Sequence, residues 1–318
     1  MLIQILIFLF GLALLSWSAD RFVYGASALA KNMGIAPMII GMTIIAMGSS
    51  APEIMVAATA SLAGNADTAV GNAIGSNITN IALVLGATAL FKPLLVKSIT
   101  VKREMPILLL VSVIAFAFLY DETLQLWEGA VLMVMFFLTI GGLTMMSLYA
   151  DKKDPYISES DDEIPSGVTT GRALVWVAIG LLLLPLSADI MVDAAVQIAT
   201  IFGMSELMIG LTIIAIGTSL PELAASIAGV IKGEDDLALG NIIGSNIFNI
   251  LAVLAMPGLI APGAIDAFAA NRDIYVMLGL TLLLLLFSLQ IGSGRRITRF
   301  EGGLLLTSFV AYQVLLFS

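Results

Sequence analysis

Residues 41–86 read "GMTIIAMGSSAPEIMVAATASLAGNADTAVGNAIGSNITNIALVLG", and residues 210–255 read "GLTIIAIGTSLPELAASIAGVIKGEDDLALGNIIGSNIFNILAVLA". Laid over each other without gaps at an offset of 169, they agree at 23 of 46 positions, the mark of a duplicated unit. The register continues outward, with "SAD" at Ser18–Asp20 matching "SAD" at Ser187–Asp189. The chain is therefore expected to hold two copies of one unit, residues 1–150 and 172–318, joined by a polar linker at 151–171.

Composition identifies the solvent. Of 318 residues, 59% are hydrophobic and 12% charged, whereas soluble domains run at about 45–50% and about 25%. Solid runs such as "LGLTLLLLLFSLQIG" at 278–292 suit helices of roughly 20 residues crossing lipid, not the alternating strands of a barrel. The expected fold is an all-α integral membrane protein. Its ten transmembrane helices lie at about 2–30, 36–64, 68–91, 104–120, 126–149, 172–200, 205–232, 236–260, 271–290 and 298–317. Five crossings per unit make the second unit enter from the opposite face, giving two inverted repeats. With the N-terminus outside, 13 of the 14 Lys and Arg fall on the cytoplasmic side and only Arg272 outside, so both termini are expected on the outer side. The first apolar stretch has no basic residue before Arg21 and has a repeat partner mid-chain. It is expected to be a transmembrane helix and not a cleaved leader.

Cysteine and histidine are both absent, which removes thiolate chemistry, disulfides and the usual transition-metal ligands. There is no basic cluster for nucleic acid. There is no nucleophile–base pair or phosphate-cradling loop either, so an enzyme is not expected.

The unusual residues are polar ones inside apolar segments. A carboxylate at mid-bilayer costs about 2.5–3.5 kcal/mol even on lenient scales. Yet Glu53 and Glu222 stand near the centres of their expected helices, each just after a proline. Proline removes a backbone donor and disturbs the preceding turn, which is expected to free carbonyls near Ala46 and Ala215. Ser49, Ser50, Thr218 and Ser219 add oxygens beside the break. The next helix contributes a stripe spaced by four: Asn72, Ser76 and Asn80, repeated as Asn241, Ser245 and Asn249. Asn72 and Asn241 read as helix-packing hydrogen bonds, while Ser76, Asn80, Ser245 and Asn249 read as ligands. Gly71 and Gly75 allow a close neighbour. Converging oxygens with two acids suit a dehydrated hard cation. Pro185 and Pro257 read as structural kinks, Asp20 and Asp189 are open between interfacial and functional roles, and "ESDDE" at 159–163 reads as a solvated linker face.

The motifs "GSSAPE" with "GNAIGSNITN" and "GTSLPE" with "GNIIGSNIFN" resemble the two alpha-repeats of the calcium/cation antiporter superfamily. The resemblance is closest to the sodium/calcium exchanger branch in its compact prokaryotic form. It implies that Glu53 and Glu222 are carboxylates shared by Ca2+ and Na+. Ser49, Ser50, Ser76, Thr218, Ser219 and Ser245 would add oxygens, the Ala46 and Ala215 carbonyls would serve flanking sodium sites, and Asn80 and Asn249 would complete the cluster. It also implies that the first and sixth helices slide across the rest to alternate access. Ca2+ and Na+ are then cargo, no cofactor is expected, and the setting is a prokaryotic plasma (inner) membrane with the chain as a monomer. The alternative is a Ca2+/H+ antiporter whose glutamates carry protons, although that branch carries a "GNAxE"-like acid where this chain reads "GNAI". One departure stands out: Asn249 occupies a position where such exchangers often carry aspartate, which leaves two formal negative charges in the site.

Overall fold

The computed structural model describes residues 1–34, 48, 50–96, 98–149, 167–232, 235–289 and 296–317. The expectations for Ala46, Ser49 and most of the 151–171 linker lie outside these residues. The described chain is mostly helical. Helix α1 spans Leu2–Asn32 and α2 spans Ala51–Leu62. Helix α3 runs Ala66–Phe91 with a π-helical stretch at Thr79–Leu85 inside it. Helices α4 (Ser98–Leu119), α5 (Leu126–Tyr149) and α6 (Thr170–Phe202) follow. Helix α7 covers 206–232 in pieces: Glu206–Ile209, a π turn at Gly210–Ile214, Ala215–Thr218, then Leu220–Lys232. Helix α8 covers 235–260 with a π turn at Asn249–Val253. Helices α9 (Ala269–Ser288) and α10 (Arg299–Leu316) complete the chain. Among the described residues, α1, α3, α6, α7, α8 and α9 are long and apolar enough to cross a membrane.

The helices sort into a centre and a periphery. In the most apolar stretch of each, 78% of α3 and 83% of α8 is buried, against 33% of α1 and of α6. Leu2, Leu6, Phe10, Leu182 and Leu186 are left bare on the outer pair, where hydrocarbon would cover them. Helices α1 and α6 pack on each other antiparallel, since Gly11 abuts Met191, Gly25 abuts Ala173, and Gly180 abuts Phe22. At the centre of that contact the two "SAD" serines meet, Ser18 Oγ lying 3.5 Å from Ser187 Oγ.

Two short antiparallel ribbons close the ends. Strand β1 (Leu94–Leu95) pairs with β4 (Arg296–Ile297), and β2 (Thr123–Leu124) pairs with β3 (Gly263–Ala264). Each ribbon thus joins the segment after the central helix of one half to the segment before the last helix of a half. The adjoining helices cross at glycines: Gly86 on α3 meets Gly302 on α10, and Gly129 on α5 meets Gly258 on α8.

The tightest seam runs between α3 and α7. A Cβ on Gly75 would lie 2.7 Å from Leu211 Cα, and one on Gly210 would lie 2.6 Å from Asn72 N. Only hydrogen fits there, and small residues let backbones approach this closely. Replacing Gly210 with Ala forces backbone apart at the centre of the fold and is expected to cost about 1–3 kcal/mol. Gly279→Ala, where a Cβ meets open space, should be neutral. Thermal midpoints of the two purified variants in detergent check this.

Candidate ion-binding site

The two prolines begin helices. Pro52 is the second residue of α2, and Pro221 the second of the Leu220–Lys232 piece of α7. In a first helical turn the missing N–H is not needed. The residue before each piece, Ser50 at φ −96°, ψ 6° and Ser219 at φ −86°, ψ −1°, adopts the bridge conformation that turns the chain. This corrects one expectation. The Ala215 carbonyl is not freed, because it accepts the Ser219 N–H at 3.2 Å. The carbonyl four residues before Pro221, the one proline deprives of its donor, belongs to Gly217. Ala215 keeps only its second lone pair for another partner.

Glu53 and Glu222 are buried, at 1% and 3% exposure, and among the described residues neither forms an ion pair. They come from opposite halves of the chain yet lie close enough to act on one another electrostatically. The Thr218 hydroxyl donates to the Ile214 carbonyl at 3.1 Å. Ser50, Ser76, Asn80, Ser219, Ser245 and Asn249 are all buried around them. Helix α2 packs on α3 and on the π turn of α8, and the lower piece of α7 packs on α8 and on the π stretch of α3. Each acid-bearing helix therefore touches the stripe of both halves.

The hydrogen bonding distinguishes these groups from many of the other buried hydroxyls, although Ser27 Oγ on α1 and Thr79 Oγ1 also lack a partner among the described residues. Ser61, Thr88, Ser112 and Ser288 each donate to the carbonyl four residues back, the usual arrangement for a hydroxyl in an apolar helix. Among the described residues, Ser50 Oγ, Ser219 Oγ, Ser245 Oγ, Glu53 Oε2, both Glu222 oxygens, and both side-chain heteroatoms of Asn80 and Asn249 have no partner. Each such group costs about 1–3 kcal/mol when left unsatisfied, and more when charged. They lie on helices packed against those carrying the two acids.

Asn72 behaves differently from Asn80, although both lie on one stripe. Its Nδ2 donates to the Glu53 backbone carbonyl at 3.2 Å, and its Oδ1 accepts from Ser76 Oγ at 3.3 Å. It is a buttress that fixes the backbone carrying the acid. Asn241, its mate on α8, is half-buried. Asn80 and Asn249 both fall inside π turns, which re-aim side chains relative to the α-helical path and recur at functional sites. No four-residue spacing announces a π turn. Reading by sequence also passed over Asn77 and Asn246, the "N" of both "GSN" triplets. Both are buried, and neither Asn246 heteroatom has a partner. Asp20 and Asp189 are exposed on α1 and α6.

Long apolar helices packed around a buried cluster of acids, hydroxyls and amides define a polytopic helical membrane protein. The family profile described as "Sodium/calcium exchanger protein" matches residues 3–145 and 172–318, and the chain belongs to that family of cation/Ca2+ antiporters. It is 59% identical over the full length of both chains to the "Putative antiporter CaxA" of Alkalimonas amylolytica. It is 46% identical, over 89% of this chain and 88% of the other, to the "Inner membrane protein YrbG" of Escherichia coli. A solved structure of the sodium-calcium exchanger NCX_Mj, soaked with Na+ and Ca2+, superposes with a TM-score of 0.64 at 32% identity, covering 98% of each chain. The chain is a multi-pass protein of the prokaryotic plasma membrane.

Replacing Asn72 with Ala removes a donor from the Glu53 carbonyl and an acceptor from Ser76. The expected loss is about 1–2 kcal/mol of stability, read as a lower thermal midpoint in detergent.

Proposed function

We propose that the chain exchanges Ca2+ for Na+ by alternating access at one central site. The observation that carries this reading is the cluster of unpartnered buried oxygens around Glu53 and Glu222, drawn from the matching motifs of both halves. Two carboxylates this close repel each other, and removal from water makes each costly. A dehydrated cation between them relieves both penalties at once. Hydroxyl and amide oxygens from Ser50, Ser76, Asn80, Thr218, Ser219, Ser245 and Asn249 complete its shell, joined by Ser49 and by the Ala46 and Ala215 carbonyls. Ca2+ takes six to eight such oxygens at roughly 2.3–2.6 Å. Na+ presents the same hard-cation chemistry with half the charge, so the two ions compete for one set of ligands.

The architecture proposed for this work is ten transmembrane helices in two inverted five-helix repeats, residues 1–150 and 172–318, with 151–171 as a cytoplasmic linker and both termini outside. The antiparallel packing of α1 on α6, equivalent helices of the duplicated halves, supports it. Repeats of opposite orientation can exchange conformations, which yields outward-open and inward-open states of comparable energy. The outer pair α1–α6, less buried than the centre, is the element that slides. No cofactor is needed, and one chain holds a complete site.

Charge balance sets the stoichiometry. Glu53 and Glu222 supply two negative charges, and Asn249 supplies none, so the site balances one Ca2+ against two Na+. A third Na+ would enter as excess positive charge.

Proteoliposomes loaded with Na+ and diluted into Na+-free medium containing Ca2+ test the reading. Wild type should accumulate Ca2+, while Glu53→Gln or Glu222→Gln should lower uptake by at least about a hundredfold, as expected when a buried charge loses its ionic partner at a cost of about 3–5 kcal/mol. Uptake driven by a pH gradient and indifferent to Na+ would establish the proton-coupled alternative instead. Uptake retained by either glutamine variant would remove that acid from the site. Asn249→Asp should raise the number of Na+ carried per Ca2+, seen as a new dependence of uptake on membrane potential.

A further inference from the structure

The motifs end at the two glutamates, but the unpartnered buried oxygens do not. Ser226 lies one helical turn beyond Glu222 on α7. Its residue is 1% exposed, and its Oγ has no hydrogen-bond partner among the described residues. A hydroxyl in an apolar helix ordinarily takes the carbonyl four residues back, as Ser61, Ser112 and Ser288 do here at 2.7–2.8 Å. For Ser226 that carbonyl is Glu222's, and it is not used. The state of the Ser226 hydroxyl is the one shared by Ser50, Ser219 and Ser245.

Position supports a common purpose. Residues spaced by four on a helix share a face, with Cβ atoms about 5–6 Å apart, so Ser226 continues the line of Glu222. The piece of α7 that carries both packs against α8 and against 79–91 of α3, the helices bearing Ser245, Asn249 and Asn80. One turn further, the Val230 carbonyl accepts from Lys92 Nζ at 3.1 Å, and Lys92 pairs with Asp235 at 3.1 Å. The series 222, 226, 230 thus runs from the central carboxylate to a charged end of the bundle. The other half has no such step: the residue matching Ser226 is Ala57, fully buried.

We propose that Ser226 is a further cation ligand, serving a monovalent ion as it passes between Glu222 and the cytoplasmic end of α7. This rests on the exchange function and the topology argued above. A hydroxyl brings an oxygen but no charge. A divalent ion depends on the two carboxylates, whereas a monovalent ion beside one carboxylate gains proportionally more from a neutral oxygen. Because only one half carries the hydroxyl, the assistance is one-sided, felt from the cytoplasmic face alone.

The test uses the full chain in membrane vesicles of both orientations, with radioactive Ca2+ as readout and Na+ varied on one face at a time. Ser226→Ala should raise the half-saturating Na+ at the cytoplasmic face about tenfold, the effect of losing one oxygen contact to a charged group. The half-saturating Ca2+ and the Na+ dependence at the outer face should not move. Ser226→Thr, which keeps the oxygen, should restore the wild-type value, and Ser61→Ala, whose hydroxyl already serves its own helix, should change nothing. Unaltered Na+ dependence in Ser226→Ala, or an equal rise for Ca2+ and Na+, overturns the assignment. A wild-type chain that moves no Ca2+ against Na+ overturns the exchange reading and this inference together.

Discussion

Everything in this structure is arranged around two carboxylates that the fold does not neutralise. Glu53 and Glu222 are buried from opposite halves of the chain, near enough to repel, and no described Lys or Arg reaches them. Removing an ion from water costs several kcal/mol even after relaxation. A protein optimised for stability alone would pair these groups or lose them. This one places on the adjoining helices buried Ser50, Ser219, Ser245, Asn80 and Asn249, whose side chains make no hydrogen bonds among the described residues, which adds to the cost instead of reducing it. The arrangement fits the proposed site, whose last component would arrive from solution.

Holding such a site steady falls to the glycine seams. With Gly75 against Leu211 and Gly210 against Asn72, the α3 backbone is seated directly on α7, and the Asn72 side chain then reaches across to the carbonyl of Glu53. Three segments of chain are locked in register by one close approach and one hydrogen bond. The neighbours α5 and α10 are fixed in the same manner, by Gly129 on Gly258 and Gly302 on Gly86. The α1–α6 pair is bound mainly to itself, with serines and small residues along its seam. An interior held by glycine seams beside an outer pair packed mainly on itself suits the sliding proposed for α1 and α6.

Much of this was legible in the sequence, because a bilayer leaves few options. The α5 span expected at 126–149 coincides with the helix found at Leu126–Tyr149, and the span at 298–317 with Arg299–Leu316, since length and apolarity alone define them. The motif residues stood out because polar groups at that depth need a reason. What escaped was local and geometric. The π turns at Thr79–Leu85 and Asn249–Val253 depend on how each helix settles against its neighbours, and no periodicity encodes them. Proline was read as breaking the turn before it, and the helix is indeed interrupted at Ser219 before the piece that Pro221 begins, but the break does not free the Ala215 carbonyl. Ser226 was invisible because a lone serine in an apolar helix nearly always bonds to its own backbone. Only the missing bond sets it apart.

The one basic residue on the wrong side of the proposed topology also finds its explanation. Arg272 donates to both oxygens of Asp273, at 2.7 and 3.2 Å, and Asp273 is fully buried, with Tyr312 of α10 donating to it at 3.0 Å. A buried acid is costly unless paired, and here an arginine one residue away pairs with it, with its guanidinium also stacked over Phe268. The charge rule is set aside because Asp273 needs a partner more than the loop needs neutrality. The contrast with Glu53 and Glu222 is then informative. This chain can supply an internal counter-charge to a buried carboxylate, and does so beside α10. Where it withholds one, at the two acids that end the GSSAPE and GTSLPE motifs, the omission fits the proposed exchange: a fixed cation there would occupy the place a mobile one needs.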